Sequence, residues 1–139
     1  MKRPPDIIHE VRLWIEKAEH DFLAAKHSML LVDRGLTDIA CFHAQQCAEK
    51  YLKAFLLLLG VHFPKTHDLR LLIDLVPRTA PLKLPLEEVV WLNRYSIEGR
   101  YPGDWEPIAV AEARSALKTA GAVRTAVRKH LPGPVLKGI

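Results

Sequence analysis

Apolar residues recur along this chain at intervals of three and four. Ile7, Val11, Trp14, Ala18, Phe22, Ala25 and Met29 form one stripe, behind Pro4-Pro5 and ahead of Gly35. That period marks a helix with one buried face, and the prolines and the glycine mark its two ends. Cys41, Gln45, Ala48, Leu52, Phe55 and Leu59 make a second stripe, stopped by Gly60. Thr66 or Asp68 can cap a short third helix over Leu69 to Val76, which Pro77 ends. Pro81-Leu82-Lys83-Leu84-Pro85 reads as an extended connector, because each proline disfavours helix in the residue before it.

A fourth helix runs from about Leu86 with Val90, Asn93 and Ile97 on one face, and Gly99, Pro102 and Gly103 break it. The fifth begins near Glu106-Pro107 and runs to about Leu131, with Ala109, Ala113, Ala116, Ala120, Val123 and Val127 as its stripe. Small residues there allow close approach of a neighbouring helix. No stretch alternates convincingly with period two, and no Asn-Gly or Asp-Gly turn is present. The expected fold is all-α: an up-and-down four-helix bundle with an additional short helix, one domain over residues 1–139. Its core spans about 6–131, and the Pro- and Gly-containing tail 132–139 is expected to fray.

Composition narrows the class. With 139 residues and 49% hydrophobic residues, the chain can bury a core without disulfides or metals. The leucine-rich run from Phe55 to Leu59 is far short of the ~20 residues a membrane span needs. Met1-Lys2-Arg3-Pro4-Pro5 is followed by no secretory core, and Cys41 and Cys47 diverge on one helix. A cytoplasmic protein is therefore expected. Few amides, many charges and ten prolines fit a heat-stable protein. The net charge is +4, and its whole excess lies beyond Gly60. That is a footprint for phosphate-bearing ligands or simply a soluble basic surface.

Three segments carry candidate chemistry. The first is His43-Ala44-Gln45-Gln46-Cys47-Ala48-Glu49-Lys50-Tyr51-Leu52-Lys53-Ala54, which on a helix sets His43, Gln46, Lys50 and Lys53 along one side. This is either a solvated face with a Glu49–Lys53 salt bridge or a polar strip lining a cleft. The second is Lys65-Thr66-His67-Asp68-Leu69, and the third runs from Leu92-Asn93-Arg94-Tyr95 through Gly99-Arg100-Tyr101 to Asp104.

In this order the three segments resemble the HEPN domains, small helical proteins of bacteria and archaea, over roughly Val11 to Leu131. The resemblance implies a homodimer, often paired with a separate minimal nucleotidyltransferase in toxin–antitoxin or similar two-component systems. No cofactor is expected. Some members are metal-independent endoribonucleases that use an Arg, four to six residues and a His. Here Arg94 is followed by Tyr95, and Arg100 stands where that histidine would be. A guanidinium grips phosphate but does not readily accept a proton. Arg124 to His130 matches the count, but six helical residues place the two about 120° apart.

The expected function is thus a non-catalytic nucleotide- or RNA-phosphate-binding module. The phosphate-binding residues would be His43, Lys50, Lys53, His67, Arg94, Arg100 and Tyr101, with tyrosine stacking on a base. The ordinary alternative is ion pairing of Arg94 and Arg100, and packing of Tyr95 and Tyr101 with bonded hydroxyls. The rival function is an endoribonuclease in which His43, His67 or His130 supplies the missing imidazole, beside Arg94. No metal site is expected, because Glu16–His20 and His62–His67 lack a third ligand at recognised spacing. Dimerisation draws further support from the Phe55–Leu59 run and Trp91, which a bundle of this length has trouble burying.

Overall fold

The structure, a computed structural model, describes residues 4–96 and 107–139. The elements among these residues are helices, with no strand among them. Helix α1 covers Pro4–Met29 and α2 covers Thr37–Leu58. Short helices α3 (Leu69–Asp74) and α4 (Leu86–Trp91) follow, then α5 (Val110–Arg128) and α6 (Gly133–Leu136). The all-α bundle expected from spacing is the observed architecture. A tight connection with Gly35 at φ +77° folds α2 back antiparallel to α1. Gly60, at φ +71°, ends α2 in the left-handed conformation that glycine adopts without a Cβ clash.

Helix α5 runs parallel to α2: Thr37 donates to the Ile108 carbonyl at one end, and Phe55 meets His130 at the other. The return between them carries α3 and α4. Helix α2 is therefore central, flanked by α1 and α5, and it is buried on more than one face. Tyr51, Leu52, Phe55 and Leu56 are fully enclosed, each contributing roughly 1.5–3 kcal/mol of burial. The α5 stripe is small where α1 leans in, and a Cβ on Gly121 would meet the Phe22 ring at 3.8 Å.

Several expectations need correction. Phe55 and Leu56 are core residues, so of the run proposed for a dimer face only Leu59 is exposed, together with Trp91. The fourth helix is an α-helical stretch continuing directly into a 3-10 turn, Leu92–Tyr95. It buries Val89 and Leu92 rather than Val90 and Asn93. Ile97 lies outside the described residues. The fifth helix starts at Val110, leaving Ala109 exposed before it. The tail is a helical turn: Val135 is fully buried, and the Arg12 guanidinium donates to the Pro134 and Val135 carbonyls. Pro134 falls in the first turn of α6, where a missing N–H costs nothing.

Candidate functional site

Burial on several faces forces the polar residues of α2 to find partners inside the protein. Glu49 is 2% exposed and Lys53 6%, so this is no solvated strip. The Lys53 ammonium donates to Glu49 Oε2 at 3.0 Å and also lies 5.5 Å from the centre of the Trp14 ring. On the other carboxylate oxygen, His67 Nδ1 bonds Glu49 Oε1 at 2.8 Å. Asp21 of α1 repeats the arrangement. His43 Nδ1 bonds its Oδ1 at 2.8 Å, and Lys50 Nζ donates to its Oδ2 at 2.6 Å. Two buried carboxylates thus each hold one lysine and one histidine. Against an ionised carboxylate, which only accepts, each ring donates from Nδ1 and turns Nε2 away from the acid.

The three sequence segments converge here. Gln45 Nε2 donates to the His67 carbonyl at 3.1 Å, and Gln46 Nε2 donates to Gln45 Oε1 at 2.6 Å. Asn93 Oδ1 accepts from the Leu69 N–H at 2.8 Å, while its Nδ2 donates to Asp68 Oδ1 at 2.9 Å. Asp68 in turn caps α3 by accepting from the Arg70 N–H. Gln45, Gln46 and Asn93 are the only amide side chains in the sequence, and all of them brace this junction. An amide side chain offers donor and acceptor together, which two crossing backbone segments require.

Asn93 fixes the place of Arg94. The Arg94 guanidinium lies 4.3 Å from the centre of the Trp91 ring, in a cation–π contact. Trp91 itself is 58% exposed. Arg94 and Arg70 line one open cavity of about 530 Å³ with Leu86, Glu87, Val90 and Trp91. Arg70 pairs with Asp74 at 3.3 Å, while Arg94 makes no ion pair with a described residue. Tyr95 is buried and donates its hydroxyl to Glu112; burial and that bond push the phenol above its ordinary range.

Of the expected site residues, His43 and Lys50 meet at Asp21, Lys53 and His67 meet at Glu49, and Arg94 stands in its own cavity. Arg100 and Tyr101 lie outside the described residues. Arg124 and His130 do not form a pair. Arg124 grips Glu19 through Nε and Nη2 at 2.7 and 2.8 Å, and His130 packs beside Phe55. Tyr51 also donates to Glu19, at 2.7 Å, and Arg128 approaches at 3.5 Å. Burial alone would raise the Glu19 carboxyl, but the Arg124 and Tyr51 hydrogen bonds and the two guanidinium charges outweigh it and hold it below the usual range. Among the described residues no three His, Cys, Asp or Glu side chains are placed to hold a metal ion. No described helix is long and apolar enough to cross a membrane.

The HEPN domain family matches residues 11–130, which contain all three converging segments. The chain belongs to the HEPN domain family. This HEPN chain is also similar to TT1696 from Thermus thermophilus, a crystal structure, with 31% identity, TM-score 0.76, and coverage of 87% of this chain and 98% of that one. ST0689, described as an archaeal HEPN homologue, shows 25% identity and TM-score 0.64, covering 94% of this chain and 98% of its own. No curated protein matches. The fold is thus the HEPN fold as this sequence builds it.

Proposed function

We propose that this HEPN protein is a non-catalytic module that binds nucleotide or RNA phosphate, acting as a homodimer beside a separate minimal nucleotidyltransferase. The observation that carries the reading is Arg94. It is exposed, stacked on Trp91, without an ion pair among the described residues, and it shares a cavity with Arg70. Two guanidiniums suit phosphate oxygens, and an exposed indole suits a base. No described histidine lines that cavity, so it has a grip but no imidazole to move a proton. Exposed Leu86 and Trp91 support a further contact across a dimer. The nucleotidyltransferase partner follows from the family and from no feature of this site.

His43, Lys50, Lys53 and His67 do not line that cavity and enter this reading as the paired residues of the adjoining sequence segments, held on Asp21 and Glu49. Arg100 and Tyr101 extend it along the sequence. The test is a nucleotide-induced rise in melting temperature that Arg94→Ala and Trp91→Ala remove. No shift with any nucleotide or short RNA would overturn it.

One observation favours a second reading, a metal-independent endoribonuclease. His67 is seated on a buried carboxylate, the arrangement that orients a general base, and Asn93 bonds the residue next to it. Cleavage of RNA in the presence of a chelator, abolished by His67→Ala and by Arg94→Ala, would establish that reading.

A further inference from the structure

A second cavity, away from Arg94, lies between α5 and the connector that precedes α4. Its volume is about 640 Å³. Lys83 lines it from the connector and Lys118 and Lys129 from α5 and its C-terminal end, over a floor that includes Gly121, Ala122 and Ala126. All three lysines are exposed, and none makes an ion pair with a described residue. Lys50 and Lys53, by contrast, are committed to Asp21 and Glu49.

The charge around the groove is one-sided in sequence as well. Residues 75–86 and 113–139, which supply both of its walls, hold eight of the twenty lysines and arginines and none of the sixteen acids. Arg124 and Arg128 of that set are turned inward onto Glu19. Lys118 and Lys129 are eleven residues apart, three helical turns, so they stand on one line of α5 about 16 Å apart. Cations so spaced address a linear anion rather than a single ion. The small floor lets a backbone approach, and its methyl and methylene surface suits sugars and base faces. Among the described residues, no large aliphatic side chain and no Phe, Tyr or Trp lines the groove to anchor the apolar face of a protein helix.

We propose that this groove binds the phosphodiester backbone of a single nucleic-acid strand, independently of the Arg94 cavity. Binding there is sequence-blind, because ammonium groups read phosphate and the floor reads no base edge. The probe is a fluorescein-labelled twelve-nucleotide RNA, followed by anisotropy between 50 and 200 mM KCl. Each phosphate neutralised on a single strand contributes about 0.7 to the slope of log affinity against log salt. The Lys83→Ser/Lys118→Ser/Lys129→Ser variant should lower that slope by about 2 and weaken binding at least tenfold at 0.1 M salt. Its circular dichroism and melting temperature should match the parent, since all three side chains are exposed.

Lys17→Ser/Arg34→Ser/Lys65→Ser removes the same charge elsewhere and should change the slope by less than half as much. Arg94→Ala should change the slope by less than about 0.3, against the about 0.7 expected if Arg94 held one of the phosphates, which separates this groove from the proposed nucleotide cavity. An equal loss in the charge-matched control would overturn the proposal. So would an unchanged slope in the groove variant, or saturable binding of polyphosphate or an acidic peptide without any of RNA.

Discussion

Glu19 joins all three long helices through one carboxylate, and Glu19→Gln isolates what that charge contributes. Glutamine keeps the volume but leaves one acceptor oxygen, and its NH2 would face donors from Arg124 or Tyr51. Hydrogen bonds to a charged group contribute about 1.5–3 kcal/mol each, and removing one member of a buried pair costs about 3–5 kcal/mol. Glu19 is 15% exposed and its partners Arg124 and Arg128 are 29% and 22% exposed. Water can therefore recover part of the loss, which brings the expected cost to about 2–3 kcal/mol at pH 7. At an unfolding entropy of about 2.1 cal/mol/K per residue, that is a fall in Tm of about 7–10 °C.

The pH dependence makes the test sharper. The folded carboxyl titrates below its ordinary value, so its contribution is complete above the unfolded pKa of about 4.3 and disappears as pH falls through the folded one. Urea unfolding of both proteins, followed by helical circular dichroism, should show the full gap at pH 7 and a closing gap below about pH 4. A gap under about 0.5 kcal/mol at pH 7 would refute the account, because it is what an exposed pair gives. A gap independent of pH would refute it too, by assigning the loss to packing rather than charge.

Two further outcomes test the junction and the turn. Asn93→Ala removes the acceptor of the Leu69 N–H and the donor to Asp68, and should cost about 1–3 kcal/mol in urea unfolding. It should also weaken any nucleotide-induced stabilisation, since Arg94 is the next residue along. Gly60→Ala places a Cβ at φ +71° with nothing within 4 Å of it. Its cost, about 1–2 kcal/mol by the same measurement, should therefore be backbone strain alone.

The long helices can be read directly from spacing, because one apolar stripe per helix survives whatever packs against it. Helix α4 is harder. Val89, Val90, Trp91 and Leu92 are consecutive and apolar, so two helical phases fit equally, and only contact with the neighbouring helices selects Val89 and Leu92. The α6 turn is obscured by Pro132, Gly133 and Pro134, which break helices in an interior but are tolerated in a first turn. Glu19 and Asp21 escape notice as partners because their cations lie 22 to 109 residues away. A signal exists: both acids lie beside Ala18 and Phe22 of the first stripe, at the edge of the face that α2 and α5 cover. The family segments are visible as residues but not as a device, since their shared junction exists only after folding.

Which cations remain available for a ligand is decided by geometry rather than by residue type. A lysine beside a buried carboxylate is held by a strong short-range attraction, and to grip phosphate it must abandon an acid that would keep only its histidine and amide contacts. Giving up a charge-assisted hydrogen bond of about 1.5–3 kcal/mol sets that exchange at a disadvantage against a cation with no such partner. Lys50 on Asp21 and Lys53 on Glu49 are therefore poor phosphate ligands even though their sequence context is basic and polar. Arg94 on the face of Trp91, and the three lysines along the α5 groove, carry no such penalty. The same two acids that hold these lysines also position His43 and His67, so the polar strip of α2 ties α1, α2 and the segment before α3 together rather than presenting free cations.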